Sequence, residues 1–301
     1  MSTNKIKGLY LDRDFQYFLK EKNIQGDIHS IFDKVVNIQS DNGTLYTISN
    51  NKTDNAPYTL KVDYNGSFKD IVFEDQNIIK NKDNLFIGNI EIDLSSAELW
   101  NVEREKIQSF STEYIKKNIG IFNMMIQSMG SSGGCKYYYL KNFLGIENNS
   151  DSLIERELSK KIDDFYMKIK QDNIQETDIR GLIGLGMGLT PSGDDFLTGF
   201  MAAITIFNKN NDLFHKIKDL IPLDTKSTTD VSRAMLKAAT QEKFREYLND
   251  FIYSFLYNNS DKYLKSFKNL LTIGSSSGTD MSIGVVLGFL FTIDENEMEE
   301  F

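Results

Sequence analysis

The 301-residue chain predicts an α+β protein, with a β-rich, barrel-like N-terminal part followed by a mainly helical C-terminal domain. Up to about residue 95, apolar residues come in short runs broken by turn residues, the pattern of short strands. Beyond it the apolar spacing lengthens to that of helices. The length is about two domains of ~150 residues, so the expected division is 1–95 and 96–301.

In the first part the apolar runs are Ile28 to Ile38, Leu45 to Ile48, Tyr58 to Val62, Ile71 to Phe73, Leu85 to Ile87 and Ile90 to Leu94. Asp41-Asn42-Gly43, Tyr64-Asn65-Gly66 and Asn81-Lys82-Asp83-Asn84 lie between them. Asn-Gly tolerates positive φ at both residues and is the strongest short hairpin signal. Strands and turns at this spacing predict an antiparallel barrel or curled sheet.

Helices are predicted from Ala97 to Met129, Leu153 to Ile169, Asp194 to Phe207, Leu213 to Leu220, Thr229 to Thr240, Phe244 to Tyr257, Tyr263 to Leu271 and Met281 to Ile293. The acid-rich tail, Asp294 to Phe301, is expected to be frayed and solvated.

A hydrophobic fraction of 40% supplies a core and excludes global disorder. The net charge is −9, which argues against nucleic acid or an anionic membrane as partner, because phosphate binding needs clustered Lys and Arg. It leaves room for a small anionic substrate. The single cysteine, Cys135, excludes an internal disulfide framework and fits a reducing cytoplasm. The N-terminus carries Lys5 and Lys7 but no apolar stretch fit for a signal peptide. The longest apolar stretch, Ile283 to Ile293, falls short of the ~20 residues of a membrane span. His29 and His215 lie far apart with no ligands at suggestive spacing, so no histidine-based metal centre is expected, and no cofactor.

One pattern occurs twice. Ser192-Gly193-Asp194-Asp195-Phe196-Leu197-Thr198-Gly199 and Ser277-Gly278-Thr279-Asp280-Met281-Ser282-Ile283-Gly284 are both S-G-x-D-apolar-x-x-G. Both follow a glycine-rich loop and lead into a helix that is apolar nearly all round, hence buried. Ser followed three residues later by Asp predicts a capping box, with Ser at the N-cap. The open N–H groups of such a helix start favour an anion. Gly199 and Gly284, one turn inside, imply a close helix crossing. For either loop alone a well-capped core helix is the plainer account. The repeat itself, and the extension of the first loop through Gly184-Leu185-Gly186-Met187-Gly188-Leu189-Thr190-Pro191, favour function. Of the adjacent Asp194 and Asp195, one can cap while the other orients a substrate amide, holds a metal or acts as a base.

Some familiar motifs fail. Residue 189 is Leu, so the first loop is not G-x-G-x-x-G, and no G-K-[ST] follows. Gly274-Ser275-Ser276-Ser277-Gly278 matches the hydrolase elbow, but no His follows it, as that mechanism requires. In Thr228-Thr229-Asp230-Val231-Ser232-Arg233, Thr or Ser caps a helix. Arg233 in its first turn opposes the macrodipole and needs a partner: a substrate carboxylate or phosphate, or a buried Asp such as Asp195 or Asp280. Arg180 reads as a surface charge. Cys135, Trp100, Tyr137-Tyr138-Tyr139 and the two histidines read as packing.

The run Gly186-Met187-Gly188-Leu189-Thr190-Pro191-Ser192-Gly193-Asp194-Asp195-Phe196-Leu197-x-Gly199 resembles the signature of the AllH-like proteins. Thr228-Thr229-x-x-Ser232-Arg233 and Ile273-Gly274-x-Ser276-x-Gly278-x-Asp280 resemble two further blocks of that family, in the same order and spacing. The likeness spans roughly the C-terminal half; the N-terminal strands agree only in general character. It implies a subunit of an oxamate carbamoyltransferase of anaerobic allantoin and purine breakdown, working with two other kinds of subunit. That assembly exchanges a carbamoyl group between oxalurate and phosphate, giving oxamate and carbamoyl phosphate.

The residues then suggest roles. Asp195, Asp280 and Arg233 are the catalytic candidates. Gly188, Thr190, Ser192, Gly193, Asp194, Ser277 and Gly278 are the substrate-binding candidates. The two helix ends are expected to face each other, with N–H groups near Gly193 and Gly278 holding anionic groups, Arg233 as cationic clamp and an Asp orienting the amide nitrogen. The competing reading is a non-catalytic subunit or small-anion metabolite-binding protein built on the same loops.

Overall fold

The computed structural model describes residues 4–20, 26–101, 104–107, 110–147, 152–207, 211–223, 226–257 and 260–299. The chain divides into two compact units, Met1–Glu103 and Arg104–Phe301. The first is a nearly closed, barrel-like sheet and the second is helical, an α+β combination.

Strand β1 (Asn4–Asp12) is the hub of the sheet. It runs antiparallel to β5 (Thr59–Val62) and parallel to both β8 (Ile90–Asp93) and β9 (Glu98–Trp100). With β2 (Gly26–Ile31), β3 (Val35–Ser40), β4 (Leu45–Ser49), β6 (Ile78–Asn81) and β7 (Asn84–Ile87), the order is β2-β3-β4-β5-β1-β8-β7-β6, with β9 also on β1. Alternation fills the interior: Leu85, Ile87, Ile90 and Ile92 are buried, and their sequence neighbours are not. Helix α1 (Arg13–Lys20) starts where Asp12 Oδ2 accepts the Asp14 amide at 3.0 Å. It adds Phe15, Phe18 and Leu19 to the sheet's core, and Phe18 stacks on Tyr46 with ring centroids 4.2 Å apart. The expected turn Asp41-Asn42-Gly43 joins β3 to β4.

Two expectations need correction here. Ala97 does not begin a helix. Residues 98–100 pair with Tyr10–Asp12 of β1, because Leu99 and Trp100 suit a strand once a distant partner offers a ladder. Helix α2 (Thr112–Met129) starts only where Ser111 caps Tyr114 N–H at 3.3 Å. The Ile71–Phe73 run is no strand; it follows a 3-10 turn at Phe68–Asp70, and Val72 N–H donates to Phe68 O at 2.8 Å.

The helical unit continues with α3 (Cys135–Leu144), α4 (Leu153–Lys170), α5 (Glu176–Arg180), α6 (Ser192–Ile204), α7 (Asn211–Leu220), α8 (Asp230–Thr240), α9 (Glu246–Leu256), α10 (Ser260–Leu270) and α11 (Ser277–Glu299). Every residue of α6 is buried, as is α11 from Ser277 to Phe289. They cross with backbone nearly touching backbone. A Cβ at Gly199 would lie 2.0 Å from Met281 O, and one at Gly284 would lie 2.2 Å from Phe196 O. This is the close crossing the two glycines imply. Helix α11 also runs on through the acidic tail to Glu299 rather than fraying at Asp294. Asp294 pairs with Lys170 at 2.6 Å, and Glu and Met favour helix.

Candidate functional site: three helix starts around two carboxylates

Ser192 and Ser277 are the first residues of α6 and α11. The predicted capping boxes are therefore displaced. At α6 the N-cap is Pro191, which has no side-chain acceptor; its carbonyl receives the amides of Asp194 (3.0 Å) and Asp195 (3.1 Å). With no capping duty, the two serines turn toward each other's helix. Ser192 Oγ and the Asp280 carboxylate crowd the same point, 2.8 Å and 2.3 Å from where a Cβ on Gly134 would stand. Ser277 Oγ meets Thr190 Oγ1 at 2.8 Å, and both hydroxyls favour the ionised form of Asp195.

A third helix start completes the centre. Gly134, at φ +57°, is the N-cap of α3. Its lack of a side chain lets the first turn of α3 close on Asp280: Cys135 N–H donates to Asp280 Oδ1 at 2.7 Å. The Cys135 thiol faces Ser192 O at 3.6 Å. Burial, then Asp280, raises its pKa well above the ordinary thiol range, so Cys135 is a packed thiol rather than a nucleophile. Thr279 Oγ1 ties in the same loop by accepting Ser131 N–H at 2.9 Å.

The three acids differ sharply. The Asp194 carboxylate takes Gly184 N–H at 2.9 Å on Oδ1, and the hydroxyls of Ser232 (2.6 Å) and Thr228 on Oδ2. It binds the glycine loop to α8. Asp195 is 1% exposed and Asp280 0%. Neither oxygen of Asp195 receives a hydrogen bond, and Oδ2 of Asp280 receives none. The Thr190 and Ser277 hydroxyls stand close enough to Asp195 to act on its charge, but they bond to each other and close no bond on it. Burial, then Asp280, pushes the Asp195 pKa well above the carboxylate range. Burial raises Asp280 to about 6, against the pull of the Cys135 amide and the Ser192 and Ser276 hydroxyls.

Other candidates land differently from their expected roles. The Gly193 amide donates to Leu185 O at 2.9 Å and the Gly278 amide to Ile273 O at 3.1 Å. Both of these amides are spent inside the fold. The two glycines instead allow close packing, since a Cβ at either would sit 2.0 Å from a carbonyl oxygen, of Leu182 or Leu270. Arg233 pairs with Asp230 on its own helix; the orphaned oxygens of Asp195 do not receive it. Thr229 is the N-cap of α8 and also donates to Leu189 O. Gly188 lies exposed between Met187 and Leu189, the exposed tip of the first loop.

The centre thus comprises Asp195, Asp280, Ser192, Ser277 and Thr190, with Gly134 and Cys135 added. Those last two carry a faint sequence signal. Ser131-Ser132-Gly133-Gly134 is a third small-residue run before a helix.

Two family models match the chain. The family described as oxamate carbamoyltransferase subunit AllH matches residues 182–289, and the AllH family N-terminal domain matches residues 7–99. The chain belongs to the AllH family. No solved structure matches it. The 182–289 segment holds both glycine loops, the three acids and Arg233, whereas Gly134 and Cys135 fall outside both matched segments. The family is named for a subunit of a carbamoyltransferase, which implies companion subunits. No helix among the described residues is long and apolar enough to cross a membrane.

Proposed function

We propose that this chain works, with companion subunits in a cytoplasmic complex, in carbamoyl transfer between oxalurate and phosphate during purine and allantoin breakdown. A phosphate oxygen attacks the terminal carbamoyl carbon of oxalurate. The bond from that carbon to the oxamate nitrogen breaks, the nitrogen takes a proton, and oxamate and carbamoyl phosphate leave. The observation that carries the reading is Asp195, buried beside Asp280 with both oxygens unpaired. A native fold leaves a buried polar group unsatisfied only rarely, and such groups cluster where ligands bind. A carbamoyl NH2 offers the donors that these oxygens lack, so Asp195 orients the group to be transferred. The hydroxyls of Thr190 and Ser277 flank it and complete the contact.

Carbamoyl transfer in the reconstituted complex tests this. Asp195→Asn replaces an acceptor with a donor and is expected to lower kcat/KM by about 100-fold or more, with companion-subunit binding unchanged. Wild-type turnover in a folded, assembled Asp195→Asn complex rejects the catalytic reading and leaves a non-catalytic, metabolite-binding subunit.

A further inference from the structure

Asp195 and Asp280 pose an electrostatic problem that the chain does not solve with its own side chains. Two buried acids lie within coupling range of each other and of Asp194. No Lys, Arg or His among the described residues pairs with either. Arg233, the expected cationic clamp, is paired with Asp230. A buried carboxylate without a counter-charge is strongly disfavoured.

Protonation answers the problem poorly. A neutral carboxyl is also a donor, and neither oxygen of Asp195 is engaged with an acceptor. A bound cation answers it better. The groups gathered here are all oxygens: the paired hydroxyls of Thr190 and Ser277 stand beside Asp195, whose Oδ1 and Oδ2 are orphaned, and the Ser192 hydroxyl stands beside Asp280, whose Oδ2 is orphaned and whose charge acts on Asp195. No histidine nitrogen takes part, and the one thiol nearby is protonated by burial. Such a set suits a hard divalent ion and not zinc.

We propose that the meeting point of α6 and α11 is a divalent-cation site of the Mg2+ or Mn2+ class, bridged by Asp195 and Asp280. It is a two-carboxylate site. Among the described residues no group of three or more His, Cys, Asp or Glu gathers as a metal centre. A magnesium site of this kind takes one or two carboxylates and leaves its other positions to water and substrate oxygens. The bridge uses one oxygen from each acid, so Asp195 keeps one for a substrate donor. The proposal stands on this geometry and not on the carbamoyl-transfer reading, although it supplies positive charge for phosphate that Arg233 does not.

The test uses the full-length chain, treated with chelator and titrated with Mn2+ while the free-ion signal is followed by electron paramagnetic resonance. A single saturable Mn2+ per chain, displaced by Mg2+, is expected. Asp195→Asn and Asp280→Asn should each weaken it by at least about 10-fold, with circular dichroism unchanged. Ser277→Ala, a smaller change should either Asn variant fold poorly, should weaken it less. Absence of saturable binding in the millimolar range, or binding unaffected in folded variants, overturns the proposal. So does an infrared band of a protonated carboxyl at neutral pH in the Mn2+-treated wild type that Asp195→Asn removes. Neither companion subunits nor substrate is present, so failure here leaves the transfer reading intact, and failure of transfer leaves this site intact.

Discussion

The carboxylate of Asp194 accepts three hydrogen bonds and that of its chain neighbour Asp195 accepts none. Successive residues on a helix point about 100° apart. One acid therefore faces Gly184 and α8 while the next faces α11. Asp194 is a structural tie, and Asp194→Ala strands the Gly184 amide and the Ser232 and Thr228 hydroxyls. The expected cost is about 3 kcal/mol, read as a lower urea midpoint with an unchanged slope.

Asp195→Asn should act in the opposite direction on stability. It removes a buried acid whose pKa burial and Asp280 raise in the folded state, a shift that costs stability at any pH above the unfolded carboxylate range, so at neutral pH the chelator-treated chain should gain about 1 kcal/mol or more while losing activity. Such a trade of stability for function marks a site whose residues are held for a ligand. Thermal unfolding of the two variants side by side measures it. A destabilised Asp195→Asn means that its carboxylate serves the fold.

Much of this centre was legible because its signal is local. Ser-Gly-x-Asp followed by an apolar run announces a buried helix start, and its recurrence at Ser192 and Ser277 pointed to a common place. The sequence could not show that each serine would serve the opposite helix. That depends on Pro191 taking the N-cap and on the close approach of α6 and α11. Gly134 and Cys135 escaped for a related reason: their partner, Asp280, lies 145 residues away. The same holds in the sheet. β9 has three residues, Glu98–Trp100, and exists only because β1 offers it a ladder, whereas the Asp41-Asn42-Gly43 turn contains its own instructions. Arg233 was correctly read as needing a partner, but an Asp three residues back on the same helix supplies one.

Gly199 and Gly284 set the distance between the two functional helices. Gly199→Val drives a side chain against Met281 O, where even a Cβ would be 2.0 Å away. No side-chain rotation relieves a clash with backbone, so the helices must separate. A loss of about 3 kcal/mol or more is expected. Gly284→Ala presses on Phe196 O in the same way. Both should loosen the Asp195–Asp280 centre, and hydrogen exchange of the α6 amides reports that separation directly.

The other end of α6 is fixed by Arg104, about 20 Å along the helix from Ser192. Its guanidinium is buried, donates to Ala202 O at 2.7 Å and Thr205 Oγ1 at 2.6 Å, and lies 4.6 Å from the Phe244 ring. Burial lowers its pKa to about 10, so it remains a cation at neutral pH, suited to the negative end of the helix dipole. Lysine keeps the charge but cannot present two donors in a plane or stack on Phe244 in the same way. Arg104→Lys should therefore cost about 2–3 kcal/mol, although the charge is conserved. The lesion lies at the C-terminal end of α6 and leaves the contacts of Ser192, Asp195 and Asp280 untouched, so Mn2+ affinity of the folded protein should stay within about 2-fold of wild type. Chemical denaturation paired with Mn2+ titration separates the two effects. A large fall in affinity in the folded variant means that α6 moves as a rigid rod and transmits the change to its carboxylate end.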